Sequence, residues 1–172
     1  MLNDLEHREG TRQQLLENLR LFSPSIRDYS VKIQGGTVQA YLHEERLAQP
    51  VPATRLSDGT LRFLCLLSIL CHPDPPPLIC IEEPETALHP DILPTVAQLM
   101  ITASHKAQLI VTTHSDALVD ALSDVPEAVL VCEKQDGATR MQRLNAAALA
   151  EWLQKYTLGE LWRKGELGGN RW

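Results

Sequence analysis

Three short stretches carry residue types that do chemistry. The first is LICIEEPETALHP, residues 78–90, an apolar run that ends in Glu82, Glu83 and Glu85, with His89 close behind. No Lys or Arg lies between Asp74 and Asp91, so the segment supplies no cation of its own. Like charges beside a buried strand are costly unless a cation or a reacting proton sits among them. A carboxylate directly after such a strand can hold Mg²⁺, usually through its water shell, and Glu82 has that position. Glu83, one residue on and pointing elsewhere, can orient or deprotonate an attacking water. The second stretch, QLIVTTH, ends in His114, which could donate a hydrogen bond to a transferred phosphate. The third is Ser57-Asp58-Gly59-Thr60, just before an apolar helix. Small residues there let backbone N–H groups approach a phosphate, and the helix start adds positive potential. Each stretch also has a plainer reading: an acidic start to a solvated loop, a satisfied strand-end histidine, an ordinary helix cap.

The elements that must position these residues are legible around them. LICIE is a short continuous apolar strand, as expected within a parallel sheet. DILPTVAQLMITA sets Ile92, Leu93, Val96, Leu99, Met100 and Ala103 on one helical stripe. QLIVTTH reads as the next strand, SDALVDAL as a helix and AVLVCEK as another strand. This alternation predicts an α/β domain with a mostly parallel sheet and flanking helices, whose ligands gather outside the carboxyl ends of the strands. LRFLCLLSILCH, apolar on nearly all sides, fits a helix buried within a layer.

Upstream, residues 11–22 predict a helix with Leu15, Leu16, Leu19 and Phe22 on one face and a Thr11–Gln14 capping box. Strands near 28–34 and 37–43 flank Gly35-Gly36, a hairpin signal. Downstream, TRMQRL predicts an edge strand, AAALAEWLQKY a helix, and LGELWRKGELGGNRW a tail. Trp152, Trp162 and Trp172 could mark a partner surface, although Trp152 is expected to pack against the last strand.

The bulk numbers narrow the class. A chain of 172 residues suits one domain with a sizeable core, and 44% apolar with 22% charged residues is ordinary for a globular protein. A net charge of −6 argues against a whole-chain polyanion binder; the basic residues of the tail leave nucleic acid possible without indicating it. Cys65, Cys71, Cys80 and Cys132 lie in apolar runs without a CxxC pair, and are expected to be buried thiols in a reducing compartment. The polar start and the absence of a long apolar run predict a cytoplasmic protein with no membrane segment.

In this order and spacing, RLSDGTLRFL, PPLICIEEPETALHP and LIVTTHSDALVDAL resemble the second half of an ABC-type, AAA-like ATPase head. The resemblance is to predicted bacterial ATPases related to the RecF-type and SMC-type DNA-repair and defence proteins. It implies a P-loop-type fold in which Leu56 to Thr60 form the signature motif, with Ser57, Asp58, Gly59 and Thr60 on the nucleotide. Ile79 to Glu83 match the Walker B strand, with Glu82 at the metal-associated position and Glu83 at the catalytic one. Ala87-Leu88-His89-Pro90 match the D-loop, which puts His89 at the nucleotide, and His114 matches the switch histidine. The implied cofactors are ATP and Mg²⁺, and the implied partner is a second head, since two heads sandwich two ATP molecules. The implied organisation is a lead-in of helix and hairpin over 1–55, an ATPase core over 56–145, and a C-terminal helix and tail over 146–172.

Two departures stand out. Glu82 fills a position usually held by Asp. No GxxxxGK[ST] phosphate-binding loop occurs, and the sequence contains no Gly-Lys dipeptide. The resemblance therefore implies a C-terminal half, completed by a Walker A-bearing N-terminal half, with weak activity on its own. Two other readings are open: a non-catalytic module lending a signature half-site to a complete ATPase, and a metal-dependent nuclease or phosphatase using Glu82, Glu83 and His89.

Overall fold

The computed structural model describes residues 2–169, which fall into two compact units that divide between Thr113 and His114. Trp172 lies outside the described residues. In the first unit, helix α1 (Leu2–Glu6) and helix α2 (Glu9–Phe22) precede an antiparallel hairpin of β1 (Ile26–Gln34) and β2 (Thr37–Glu44). Gly35 and Gly36 both have positive φ, +57° and +80°, as a two-residue hairpin turn requires. A short β3 (Val51–Pro52) pairs with β2, its proline on the sheet's edge. Then come α3 (Asp58–Leu70), β4 (Leu78–Glu82), α4 (Leu93–Ser104) and β5 (Gln108–Thr112).

The apolar stripes do what their spacing predicts. Leu15, Leu16 and Leu19 of α2 are buried, and Phe22 stacks on Phe63 of α3 with ring centroids 4.9 Å apart. All six residues of the predicted α4 stripe are buried, Ala97 with them. Each such leucine contributes about 2 kcal/mol of burial. The predicted capping box of α2 is not formed. Its N-cap is Arg8, without a side-chain cap bond, because the helix starts at Glu9 and leaves Thr11 and Gln14 inside it. β4 and β5 are parallel, Glu82 opposite Thr112, and this is the parallel pair among the described strands.

The second unit holds α5 (Asp116–Asp120), an antiparallel pair of β6 (Leu130–Gln135) and β7 (Ala138–Arg143), α6 (Ala146–Leu153) and α7 (Leu158–Arg163). Its core gathers Val119, Leu144 and Leu158, with Val131, Leu149 and Trp162 against them. The segment expected to be tail thus contains a helix, started by a capping box of Thr157 and Glu160. Trp162 is half-buried and donates from Nε1 to the Gly169 carbonyl. Trp152 does not pack as expected: it is 46% exposed, its ring tilted against Tyr156 on the outer side of α6.

The cysteines also depart from expectation. Cys71 is buried, but Cys65, Cys80 and Cys132 are exposed, because each falls on the outward side of its helix or strand. Among the described residues no helix is long and apolar enough to cross a membrane.

Candidate nucleotide site

The start of α3 is built by its own sequence. Ser57 is extended and its Oγ accepts from the Thr60 N–H at 3.2 Å, with the Thr60 hydroxyl 2.8 Å away. Ser57 is therefore an N-cap in fact as well as in pattern. Gly59 has a further constraint: a Cβ there would lie 2.6 Å from the Ala87 carbonyl oxygen, far inside contact distance. The glycine lets the helix start close directly on the loop that follows β4.

That loop leaves the strand through unusual backbone. Glu83 has φ +42° and Ala87 φ +64°, left-handed positions that cost a β-carbon residue about 1 kcal/mol each. Both are held. The Glu83 N–H donates to the Thr112 carbonyl at 2.9 Å, extending the β4–β5 ladder by one bond. The Glu83 carbonyl accepts from the Thr86 N–H at 3.0 Å, and the Glu85 carbonyl from the Leu88 N–H at 2.9 Å. Pro84 is buried, and Glu85 accepts from the Thr113 hydroxyl at 2.7 Å, so the third glutamate anchors the loop to the end of β5.

The most informative contact comes from a residue outside the predicted set. Arg62, one turn into α3, donates from Nη2 to the Glu82 carbonyl at 2.7 Å and to the Glu83 carbonyl at 3.0 Å. The missing cation of the acidic segment thus arrives from 20 residues upstream. It binds the main chain rather than the carboxylates. The Glu82 and Glu83 side chains are exposed and enter no ion pair among the described residues; Glu83 Oε2 is 3.4 Å from the Thr86 hydroxyl. A lone Arg in an otherwise apolar helix, LRFLCLLSIL, was the available signal, since such a charge must find partners.

The remaining predicted residues are placed as follows. Asp58 is exposed in the first turn of α3. His89 is exposed and caps the 3₁₀ turn Pro90–Ile92, its Nδ1 accepting from the Asp91 N–H at 3.3 Å. His114 is exposed and opens the second unit. The first unit therefore brings Ser57–Thr60, the Glu82–Glu83 turn and the Ala87 loop together through Arg62 and Gly59. Among the described residues, no three His, Cys, Asp or Glu side chains form a metal-holding group, so Glu82, Glu83 and His89 do not make the cage that a metallonuclease reading needs. Mg²⁺ in a nucleotide site asks for less, one or two carboxylates beside phosphates and water, and an exposed carboxylate at a strand end fits that donor set.

The chain matches the family described as "AAA domain, putative AbiEii toxin, Type IV TA system" over residues 3–120, and it belongs to that family. It is thus an ATPase-type, nucleotide-binding domain with a P-loop NTPase-like fold. Among solved structures it is similar to a chain from work on ATP-driven dimerization and DNA-stimulated activation of SMC ATPases, at 16% identity and TM-score 0.59. That match covers 87% of this chain and 94% of the other. The Pyrococcus furiosus Smc head domain, with an extended coiled coil and bound to the C-terminal domain of ScpA, matches at 15% identity and TM-score 0.65, over 86% of this chain and 37% of that one. The Thermotoga maritima SMC head domain matches at 12% identity and TM-score 0.51, over 83% and 50%. The chain thus spans nearly all of the first but half or less of the other two. No curated protein matches it.

Proposed function

We propose that this chain is the C-terminal half of an ABC-like ATPase head, which binds and hydrolyses ATP in a dimer of heads and couples turnover to a partner or effector. The observation that carries the reading is the Glu82–Glu83 turn, whose main chain is fixed by Arg62, Thr112 and Thr86 while both carboxylates stay exposed, outside any ion pair among the described residues. A fold that only needed an acidic loop start would have no use for that much backbone restraint.

In this reading Glu82 holds the water shell of Mg²⁺, and Glu83 takes the proton of the attacking water. Bound Mg²⁺ supplies charge neutralisation at the phosphates. His114 donates to the transferred phosphate, and His89 lies in the loop that faces the second nucleotide. Ser57, Asp58, Gly59 and Thr60 serve ATP held by the opposite head. Residues 56–145 form the core of the half-head, 1–55 lead into it and 146–172 close it; the setting is cytoplasmic.

The phosphate-binding loop comes from a Walker A-bearing half, on a separate chain or a longer product. Support for such a half comes from β4 and β5. Parallel strands are normally covered on both faces. Here one face is bare, with Leu78 47% and Ile110 52% exposed and Cys80 exposed between them. Titration of the 172-residue chain with MgATP in a calorimeter, with Glu82→Ala as control, tests the half-head reading. The expected result is weak binding or none. Tight binding abolished by Glu82→Ala would contradict it, since the chain would then hold the triphosphate without that loop.

A further inference from the structure

We infer that Arg62 is a positioning residue that couples the start of α3 to the turn carrying Glu82 and Glu83; the inference rests on the ATPase reading for its purpose but not for its geometry. The Nη2 group of a guanidinium carries two N–H donors fixed in one plane, so this single nitrogen can bind two successive carbonyls and fix the peptide between them. Arg62 does this at 2.7 and 3.0 Å. Had it bound the carboxylates, it would have neutralised the groups that the site needs. Bound to the carbonyls, it holds the left-handed Glu83 while leaving both side chains available.

The grip has two ends. Gly59 closes on the Ala87 carbonyl, and Arg62, three residues along the same helix, closes on Glu82 and Glu83. The first two turns of α3 therefore meet both ends of the loop from Glu82 to Ala87. A displacement at Ser57–Thr60 is passed to the Glu83 turn by a helix that behaves as a rigid lever. Engagement of the nucleotide on the opposite head and alignment of the water-activating carboxylate on this one become a single event.

Hydrogen exchange on the whole chain, comparing Arg62→Met and Arg62→Lys with the wild type, tests this. In Arg62→Met the Glu83 and Thr86 amides should lose protection about tenfold or more, while those of Val96 to Met100 in α4 stay as they are. Arg62→Lys, which keeps a charged donor but not the planar, fixed Nη2 group, should restore part of it. In a head completed with a phosphate-loop half, Arg62→Met should lower kcat about tenfold and change KM for MgATP less than about twofold. Unchanged protection at Glu83 and Thr86, protection lost equally across α4, or a rise in KM at constant kcat would each overturn the inference. Local loss of protection beside a completed wild-type head that hydrolyses no ATP would leave the tether standing and remove the ATPase reading.

Discussion

The molecule contains two acidic pairs that the fold treats in opposite ways. In the second unit, Asp116 and Asp120 of α5 serve structure. Arg163 of α7 donates to Asp116 at 2.8 Å, and the Gly159 N–H at the start of α7 donates to Asp120 Oδ1 at 2.6 Å, with the Leu158 N–H on the Ser123 hydroxyl at 3.0 Å. Those acids hold one helix to another. In the first unit, Glu82 and Glu83 have their main chain held by other groups, and among the described residues their side chains enter no ion pair, Glu83 meeting only the Thr86 hydroxyl three residues on. Carboxylates bound up in structure are unavailable for chemistry; carboxylates whose backbone is restrained and whose oxygens are open are poised for it.

The largest expected effect lies in the structural pair. Asp120→Ala leaves the Gly159 N–H without its acceptor and should destabilise the second unit by about 2–3 kcal/mol in chemical denaturation. A loss below about 0.5 kcal/mol would remove the distinction between the two pairs.

A smaller effect separates the Glu82–Glu83 turn from the body of its own unit. Burial pushes the Tyr29 hydroxyl up to about 12 from 10.0 and the Cys71 thiol up to about 11 from 9.0. Between those values the unfolded chain has released protons that the folded chain keeps. Stability should therefore fall as pH rises, from 9 to about 11 through Cys71 and from 10 to about 12 through Tyr29. Tyr29→Phe should flatten the upper part of that slope in pH-dependent unfolding, and an unchanged slope would reassign it.

The smallest expected change in stability is that of Glu83→Gln. An exposed side chain with no ion pair among the described residues should shift unfolding by no more than about 0.5 kcal/mol. A larger loss would make Glu83 a structural acid like Asp120.

How much of this was legible in the sequence follows from which physical signals are local. The α4 stripe, the Gly35-Gly36 turn and the greasy strand ending at Glu82 were readable because periodicity and turn chemistry are written in neighbouring residues. The acids were readable as a candidate site for the same reason. What supports them was not. Glu and Ala give no sign of a left-handed φ, so the bends at Glu83 and Ala87 are set by tertiary hydrogen bonds rather than by residue type. Arg62 meets the Glu82 carbonyl across 20 residues, and Gly59 meets Ala87 across a still longer gap. The cysteine expectation held at Cys71 and failed at Cys65, Cys80 and Cys132, because an apolar run does not say which side of a helix or strand faces the core. The Thr11–Gln14 box failed because the helix is capped at Arg8, a turn ahead of the cap-like Thr11.

We propose that the restrained turn presents Glu83 to an attacking water. The most direct test is steady-state ATP hydrolysis by a head completed with a phosphate-loop half, wild type against Glu83→Gln. Turnover should fall about 100-fold or more with unfolding unchanged. Turnover that survives the substitution would contradict the account, leaving Glu83 as the first residue of a loop and nothing more.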